Sequence, residues 1–294
     1  MFGVERLLKR CLKVIRYAIT YLVIVLPLRP RRKRSNAADA GLIVALTTYP
    51  ARVDRVHLTI RSLLRQEIRP QRIVLVLSQL EFPDGISSLP KSLLKMLCFA
   101  DERLEFLFTE DNKRSYKKLL PVLKAFPGRT IVTVDDDVFY PKDWLRRLFD
   151  GHRSFPGTII GTRGTIIGVK NQSIRPYSTW KRAETTVPGH DIFLTGRGGI
   201  LYPADSLASI VDDWVTADDL CPNADDIWFK AMAVLADTKC LAMPTRSEYL
   251  ANTLFERNAL WHENVLEGRN DEAMVNVVER FEIFKKISGG GVLT

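Results

Sequence analysis

Asp135, Asp136 and Asp137 stand in a row directly after the β-branched run Ile131-Val132-Thr133-Val134 and shortly before Pro141. The run reads as a buried strand. Pro141 suits the first turn of a helix whose apolar face is Trp144, Leu145, Leu148 and Phe149. Three carboxylates crowded at a strand end repel one another, and the arrangement becomes favourable when a cation sits among them. Hard oxygen donors of this kind suit Mg²⁺ or Mn²⁺, with phosphate oxygens completing the shell. The plainer reading, a solvated acidic turn or helix cap, is weighed against the rarity of unpaired acids bordering a core.

A second acidic pair, Asp225-Asp226, opens the segment that runs on through Ile227-Trp228-Phe229. The pair has two readings. Asn223 caps a helix there and the acids favour its first turn through the helix dipole, or one carboxylate faces a crevice and takes a proton from an acceptor hydroxyl. Between the two acidic groups lies Thr195-Gly196-Arg197-Gly198-Gly199. Glycines at this density let the backbone approach a ligand closely. The chain has no GxxxxGK[ST] phosphate loop, and no GxGxxG follows its first strand.

The elements that must hold these groups alternate. Strands are expected over Gly41–Thr48, Arg72–Ser78, Leu104–Phe108 and Thr130–Val134, helices over Val53–Gln66 and Ser115–Phe126, and a helix or helix pair over Ser88–Cys98. This order implies an α/β fold, a mostly parallel sheet with helices on both faces. Ligands then bind beyond the carboxyl ends of the strands, where Thr47-Thr48-Tyr49 and Asp135–Asp137 both fall. The second half is less regular. Strands are expected at Thr158–Gly161 and Thr165–Val169, a loop-rich stretch over Lys170–His190, and helices over Pro203–Trp214, Ala224–Leu235 and Asp271–Ile287.

The chain has 294 residues and a net charge of +9. Residues 1–34 hold ten Lys/Arg against Glu5 alone, and the rest balances 33 basic with 33 acidic residues. The body therefore carries no basic cluster of the kind a nucleic-acid groove needs. Cys11, Cys98, Cys221 and Cys240 are scattered, which suits a reduced compartment. In the tail, Leu7, Leu8, Leu12, Ile15 and Ile19 recur at helical spacing among basic residues. An apolar stretch over Tyr17–Leu28 follows, closed by Arg29, Arg31, Arg32, Lys33 and Arg34. That stretch is short for a bilayer span of about 20 residues. It reads as a helix lying in the membrane interface against anionic cytoplasmic lipids. An ordinary docking helix with a basic linker is the alternative. The expected organisation is a membrane-associating segment over 1–34 and one catalytic domain over 35–294. That domain divides into a donor half (about 41–150), an acceptor half (about 151–270) and a C-terminal helix (about 271–287).

Taken in order, Leu46-Thr47-Thr48-Tyr49-Pro50-Ala51-Arg52, Arg114-Ser115-Tyr116-Lys117-Lys118, Thr133-Val134-Asp135-Asp136-Asp137-Val138-Phe139-Tyr140-Pro141 and Ala224-Asp225-Asp226-Ile227-Trp228 resemble bacterial GT-A glycosyltransferases of surface-polysaccharide gene clusters, of the family 2 type. The resemblance spans roughly Gly41 to Met243. It implies a nucleotide-diphosphate-sugar donor and a Mn²⁺ or Mg²⁺ cofactor. Asp135 would contact the ribose or donor sugar and share with Asp137 the metal that bridges the diphosphate, while Asp136 fills the variable middle position. Asp226 would be the base of an inverting enzyme, with Asp225 the close alternative. Thr47, Thr48, Tyr49 and Arg52 would lie near the nucleotide base, and Lys117 or Lys118 would approach the nucleotide. Gly198 and Gly199 would shape the acceptor side, with Tyr177 and Trp180 as apolar platforms for sugar rings. The chain departs from many relatives in having Asp-Asp where they have Glu-Asp.

The leading reading is a metal-dependent, inverting glycosyltransferase. Its acceptor is a glycan or lipid-linked saccharide at the cytoplasmic face of the inner membrane. A sugar nucleotidyltransferase of related fold is an alternative, although TTYPARVDR carries no glycine where those enzymes have a Gly-rich segment. A membrane-bound nucleotide-sugar binding protein without turnover is the other.

Overall fold

The computed structural model describes residues 2–26, 41–99, 103–243, 250–251 and 268–289. In chain order the first elements are α1 (Phe2–Val25), β1 (Ile43–Thr47), α2 (Val53–Leu64), β2 (Arg72–Ser78), α3 (Lys91–Phe99), β3 (Leu104–Thr109), α4 (Leu120–Ala125), β4 (Ile131–Thr133), β5 (Val138–Phe139) and α5 (Trp144–Ser154). There follow β6 (Ile159–Gly161), β7 (Gly164–Ile166), β8 (Val169–Lys170), β9 (Ser173–Ile174), β10 (Lys181–Arg182), β11 (Ile192–Leu194) and β12 (Ile200–Tyr202). The last elements are α6 (Trp214–Leu220), α7 (Asp225–Leu235), β13 (Cys240–Ala242), β14 (Leu250–Ala251), α8 (Arg269–Arg280) and α9 (Phe284–Ile287).

The central sheet has seven strands in the order β13-β6-β12-β4-β1-β2-β3. Six run the same way, and β12 alone is antiparallel to its neighbours β4 and β6. Side chains alternate across the pleat and both faces are buried, which is why the strands read as unbroken apolar runs. On one face Leu42, Val44, Leu46, Ile73, Leu75 and Val132 join the core under α2, α3 and α5. On the other Ile43, Ala45, Val74, Val76 and Ile131 join Tyr116, Trp228 and the residues of α7 and α8.

Three expected helices take another form. The span Ser115–Phe126 is a 3₁₀ turn over Arg114–Lys118 followed by α4, because Pro121 cannot donate to a continuing helix and instead occupies a first turn. Pro203–Trp214 is not an α-helix. Asp205 takes a left-handed φ of 58°, only Ser209–Asp212 forms a 3₁₀ turn, and α6 starts where the expected helix ends. Asp271–Ile287 is broken between α8 and α9, where Glu282 has a φ of 53°. Asn223 does not cap α7. It takes a φ of 62°, and Ala224 is the cap residue.

Helix α1 is tied to α2 by its end. Arg61 donates to the carbonyls of Ile24 (2.7 Å), Val25 (3.0 Å) and Leu26 (2.7 Å), and Arg65 to those of Val23 (2.9 Å) and Leu26 (2.6 Å). These are terminal carbonyls of the kind a helix leaves without intrahelical partners, and cations favour that end of the dipole. Tyr17 packs on Phe139, which joins Ile24 and Leu58 in a small cluster.

Candidate active site

The acid turn follows β4 and lies beside the carboxyl end of β1, as parallel pairing of the two strands requires. Its middle residue is the buried one. Thr48 Oγ1 donates to Asp136 Oδ2 at 2.6 Å, Arg52 Nη1 to Asp136 Oδ1 at 3.0 Å, and Thr59 Oγ1 to the Asp136 carbonyl at 2.7 Å. Arg52 Nη1 also donates to Asp137 Oδ2 at 2.9 Å. Side-chain exposure rises from 7% at Asp136 to 16% at Asp137 and 32% at Asp135, so the outer two acids are the ones open to a ligand. Burial pushes the Asp136 carboxyl up, against the opposing pull of Arg52 and Thr48. Burial would weaken the Arg52 charge, but Asp136 and Asp137 outweigh it and raise the guanidinium pKa. The backbone N–H of Asp135 donates to the Tyr140 hydroxyl at 3.0 Å, which pins the start of the turn to the core.

Lys118 joins this turn to the second acidic pair. Its Nζ lies 2.9 Å from Asp225 Oδ2 and 3.4 Å from Asp135 Oδ1, and its side chain is only 7% exposed. Burial lowers its proton affinity, but Asp225, Asp135 and Asp226 outweigh that and hold the ammonium charged well above the usual lysine value. Asp225 is thereby committed to Lys118. Asp226, the more exposed of the pair, accepts from the Gly196 N–H at 2.9 Å through Oδ2, and its Oδ1 has no hydrogen-bond partner among the described residues. Burial, then the neighbouring Asp225 charge, pushes the Asp226 carboxyl up to about 7 against the pull of Lys118. A carboxylate tuned close to neutral pH is suited to general-base work.

The glycine loop has two parts. Gly196 faces the carboxylates: a Cβ there would stand 2.8 Å from Lys118 Nζ, 3.1 Å from Asp135 Oδ1 and 3.3 Å from Asp226 Oδ1. Gly198 and Gly199, singled out from the sequence, face elsewhere. A Cβ on Gly198 would meet Arg163 Cβ at 2.7 Å, and one on Gly199 (φ +77°) would meet Trp144 Cζ2 at 2.3 Å. Trp144 Nε1 donates to the Gly198 carbonyl at 2.8 Å, so these two glycines admit an indole and hold the loop in place. The spacing of three glycines does not say which one faces the acids; the pairing of β12 with β4 decides it.

The other expected residues divide as well. Tyr49 is at the surface, with the Arg52 guanidinium 5.6 Å from its ring centroid. Thr47 Oγ1 turns back to the Val76 carbonyl at 2.9 Å. Lys117 is buried and pairs with Glu81, away from the acid turn. Trp180 is in the core, its Nε1 donating to the Arg175 carbonyl at 2.8 Å, and it packs with Tyr177 and Phe193. Tyr177 is half-buried. Burial, then the Asp226 charge, pushes its hydroxyl up to about 12.

Asp135 and Asp137 are the more exposed hard-oxygen donors of the turn. Two carboxylates completed by phosphate oxygens and water form the kind of shell Mg²⁺ uses with phosphate substrates. No cluster of three or more His, Cys, Asp or Glu able to hold a metal occurs among the described residues. The donor set therefore fits a metal shared with a diphosphate ligand, and does not form an all-protein cage.

Three solved structures are similar to this chain in fold. S. aureus TarS 1-349 shares 14% identity with a TM-score of 0.46, over 84% of this chain and 70% of that one. The mannosyltransferase PcManGT from Pyrobaculum calidifontis, in complex with GDP-Man and Mn²⁺, shares 13% identity with a TM-score of 0.49, over 94% and 75%. The 4-diphosphocytidyl-2C-methyl-D-erythritol synthase from Anaerococcus prevotii shares 10% identity with a TM-score of 0.47, over 78% and 97%. No curated protein sequence matches the chain. The profile described as Glycosyl transferase family 2 matches residues 43–210, from the first strand through the acid turn and the glycine loop. With its single reversed strand in an otherwise parallel sheet of the GT-A type, this chain belongs to glycosyl transferase family 2.

Proposed function

We propose that this glycosyltransferase is metal-dependent and inverting, and that it moves a sugar from a nucleotide-diphosphate sugar to a saccharide or lipid-linked saccharide. The observation that carries the reading is the convergence of Asp135, Lys118, Asp225, Asp226 and Gly196 at one point, where the acid turn meets the acidic pair. Asp135 and Asp137 would hold Mn²⁺ or Mg²⁺, which stabilises the negative charge of the departing diphosphate. Thr48 and Arg52 keep the turn in register, and Tyr49 offers an exposed ring for a nucleotide base.

Asp226 is the base. Lys118 takes up Asp225, and Asp226 Oδ1, a buried atom with no hydrogen-bond partner among the described residues, would take the acceptor's proton once that hydroxyl reaches it. The proton passes to Asp226 as the acceptor oxygen bonds to the anomeric carbon. The bond from that carbon to the β-phosphate oxygen breaks, and its electron pair leaves with the nucleoside diphosphate. Attack from the face opposite the leaving group inverts the anomeric configuration.

The acceptor side is read from the tail. Leu12, Val14, Ile15, Ile19, Leu22, Val23 and Leu26 of the N-terminal segment are at least half exposed, and basic residues intersperse the helix and follow it. No helix among the described residues is long and apolar enough to cross a membrane. These features support a protein lying on the cytoplasmic face of the inner membrane, where surface-polysaccharide acceptors are carried on lipid.

Calorimetry of the full chain with UDP, GDP and CDP, each with Mn²⁺ and with EDTA, tests the donor side. Metal-dependent binding of one nucleotide is expected, and its absence for all three overturns the reading. Asp226→Asn should keep that binding and lower turnover by a factor of about 10² or more. Normal turnover by Asp226→Asn with loss in Asp225→Asn would reassign the base.

A further inference from the structure

Arg52 uses one guanidinium nitrogen for two acids. Nη1 donates to Asp136 Oδ1 at 3.0 Å and to Asp137 Oδ2 at 2.9 Å. The two carboxylates are not equivalent. Asp136 is also held by Thr48 and, through its carbonyl, by Thr59, and it lies at the back of the turn. Asp137 is the more exposed of the two. A metal ligand drawn from this turn is therefore an acid that already has an internal cation. A divalent ion and a guanidinium nitrogen less than 3 Å from the same carboxylate oxygen repel each other strongly in a partly desolvated site.

Resting on the metal reading above, we propose that Arg52 is the resident counter-ion of Asp137 and that a divalent cation enters the turn by displacing it. Asp137 exchanges the guanidinium for the metal while Arg52 keeps its bond to Asp136. The backbone of Arg52 need not move, because its N–H is fixed to the Tyr49 carbonyl at 2.9 Å and only the side-chain tip must turn. The exchange makes bare metal binding weak by design of the turn.

The test is a Mn²⁺ titration of the full chain without nucleotide, following the free-ion signal by electron paramagnetic resonance. Arg52→Met should bind Mn²⁺ about tenfold more tightly than the wild type, the scale of one charge-assisted hydrogen bond no longer to be broken. The gain should vanish in Arg52→Met/Asp137→Asn, and Arg52→Lys should stay near the wild type. Thermal melts with and without Mn²⁺ check folding, and Arg52→Gln serves if Arg52→Met does not fold. Equal, Asp137-dependent affinity in wild type and Arg52→Met overturns the displacement and leaves the metal reading standing. Binding that never depends on Asp137 in any variant overturns both.

Discussion

Replacing Lys118 with methionine removes a buried ammonium and keeps most of the apolar stem. The change leaves Asp225 inside the protein without the ammonium that lies 2.9 Å from its carboxylate. Breaking one partner out of a buried ion pair costs about 3–5 kcal/mol. The Asp135 arm is longer, at 3.4 Å, and that carboxylate is a third exposed, so it regains water. The low end, about 3 kcal/mol, is therefore expected, and almost all of it comes from Asp225. In a domain of this size each kcal/mol moves Tm by roughly 2–4 °C, so the variant should melt roughly 6–12 °C lower. Lys118→Met/Asp225→Asn removes the orphaned charge as well and should recover most of the loss. The catalytic consequence has a definite sign. Lys118 pulls the Asp226 carboxyl down while burial and Asp225 push it up to about 7. A base works when deprotonated, so wild-type turnover should rise as pH increases through about 7. Without Lys118 that rise should move to higher pH. Thermal melts and the pH dependence of nucleoside diphosphate release, measured on the same preparations, check both effects. A single variant that melts with the wild type and rises at the same pH would refute the role given to Lys118. A double variant no more stable than the single would do the same.

Other outcomes follow from the same geometry. Gly199→Ala places a Cβ 2.3 Å from the Trp144 ring at a φ of +77° and should cost about 2 kcal/mol or more by thermal melt. Gly196→Ala meets the tip of Lys118 at 2.8 Å, a flexible group that can yield, so it should lower turnover more than Tm. Arg61→Ala/Arg65→Ala strips the terminal carbonyls of α1 of their side-chain partners. Hydrogen exchange across residues 2–26 should accelerate at least tenfold, on the scale of lost charge-assisted hydrogen bonds, while the central strands keep their protection. Removing residues 1–34 should abolish co-sedimentation with anionic vesicles and leave nucleotide binding intact, and retained sedimentation would sink the proposed membrane role of the tail.

Much of the architecture was legible because local and tertiary demands agree. The run RIVLVLS becomes β2 with the expected limits, since a strand buried on both faces is apolar through its interior, here Ile73 to Leu77. Val53, Val56, Ile60 and Leu63 at helical spacing become the buried face of α2 for the same reason. The acids at the end of β4 were visible because charge directly after a buried strand is unusual in any fold. The departures have local causes that periodicity does not record. Pro121 restarts a helix, and Asp205 and Glu282 take left-handed φ values where an apolar pattern suggested continuous turns.

The sequence by itself determined the sheet, its layered core and the chemical types at the site: three carboxylates, a second acidic pair and a glycine loop. Only the tertiary structure decided what each member of a group contacts. Lys117 and Lys118 are neighbours of the same type in one 3₁₀ turn, yet one meets Glu81 and the other bridges Asp135 and Asp225. About three residues per turn send adjacent side chains in different directions, and what each finds depends on the strands that surround it. The reversal of β12 brings Gly196, and not Gly198 or Gly199, against the acids. Charge and burial then divide the labour within the Asp pair, because one internal ammonium stands close to Asp225 and a backbone N–H is left for Asp226. Those distances arise between residues 107 apart for Lys118 and Asp225 and 30 apart for Gly196 and Asp226, and no local pattern of residues encodes them.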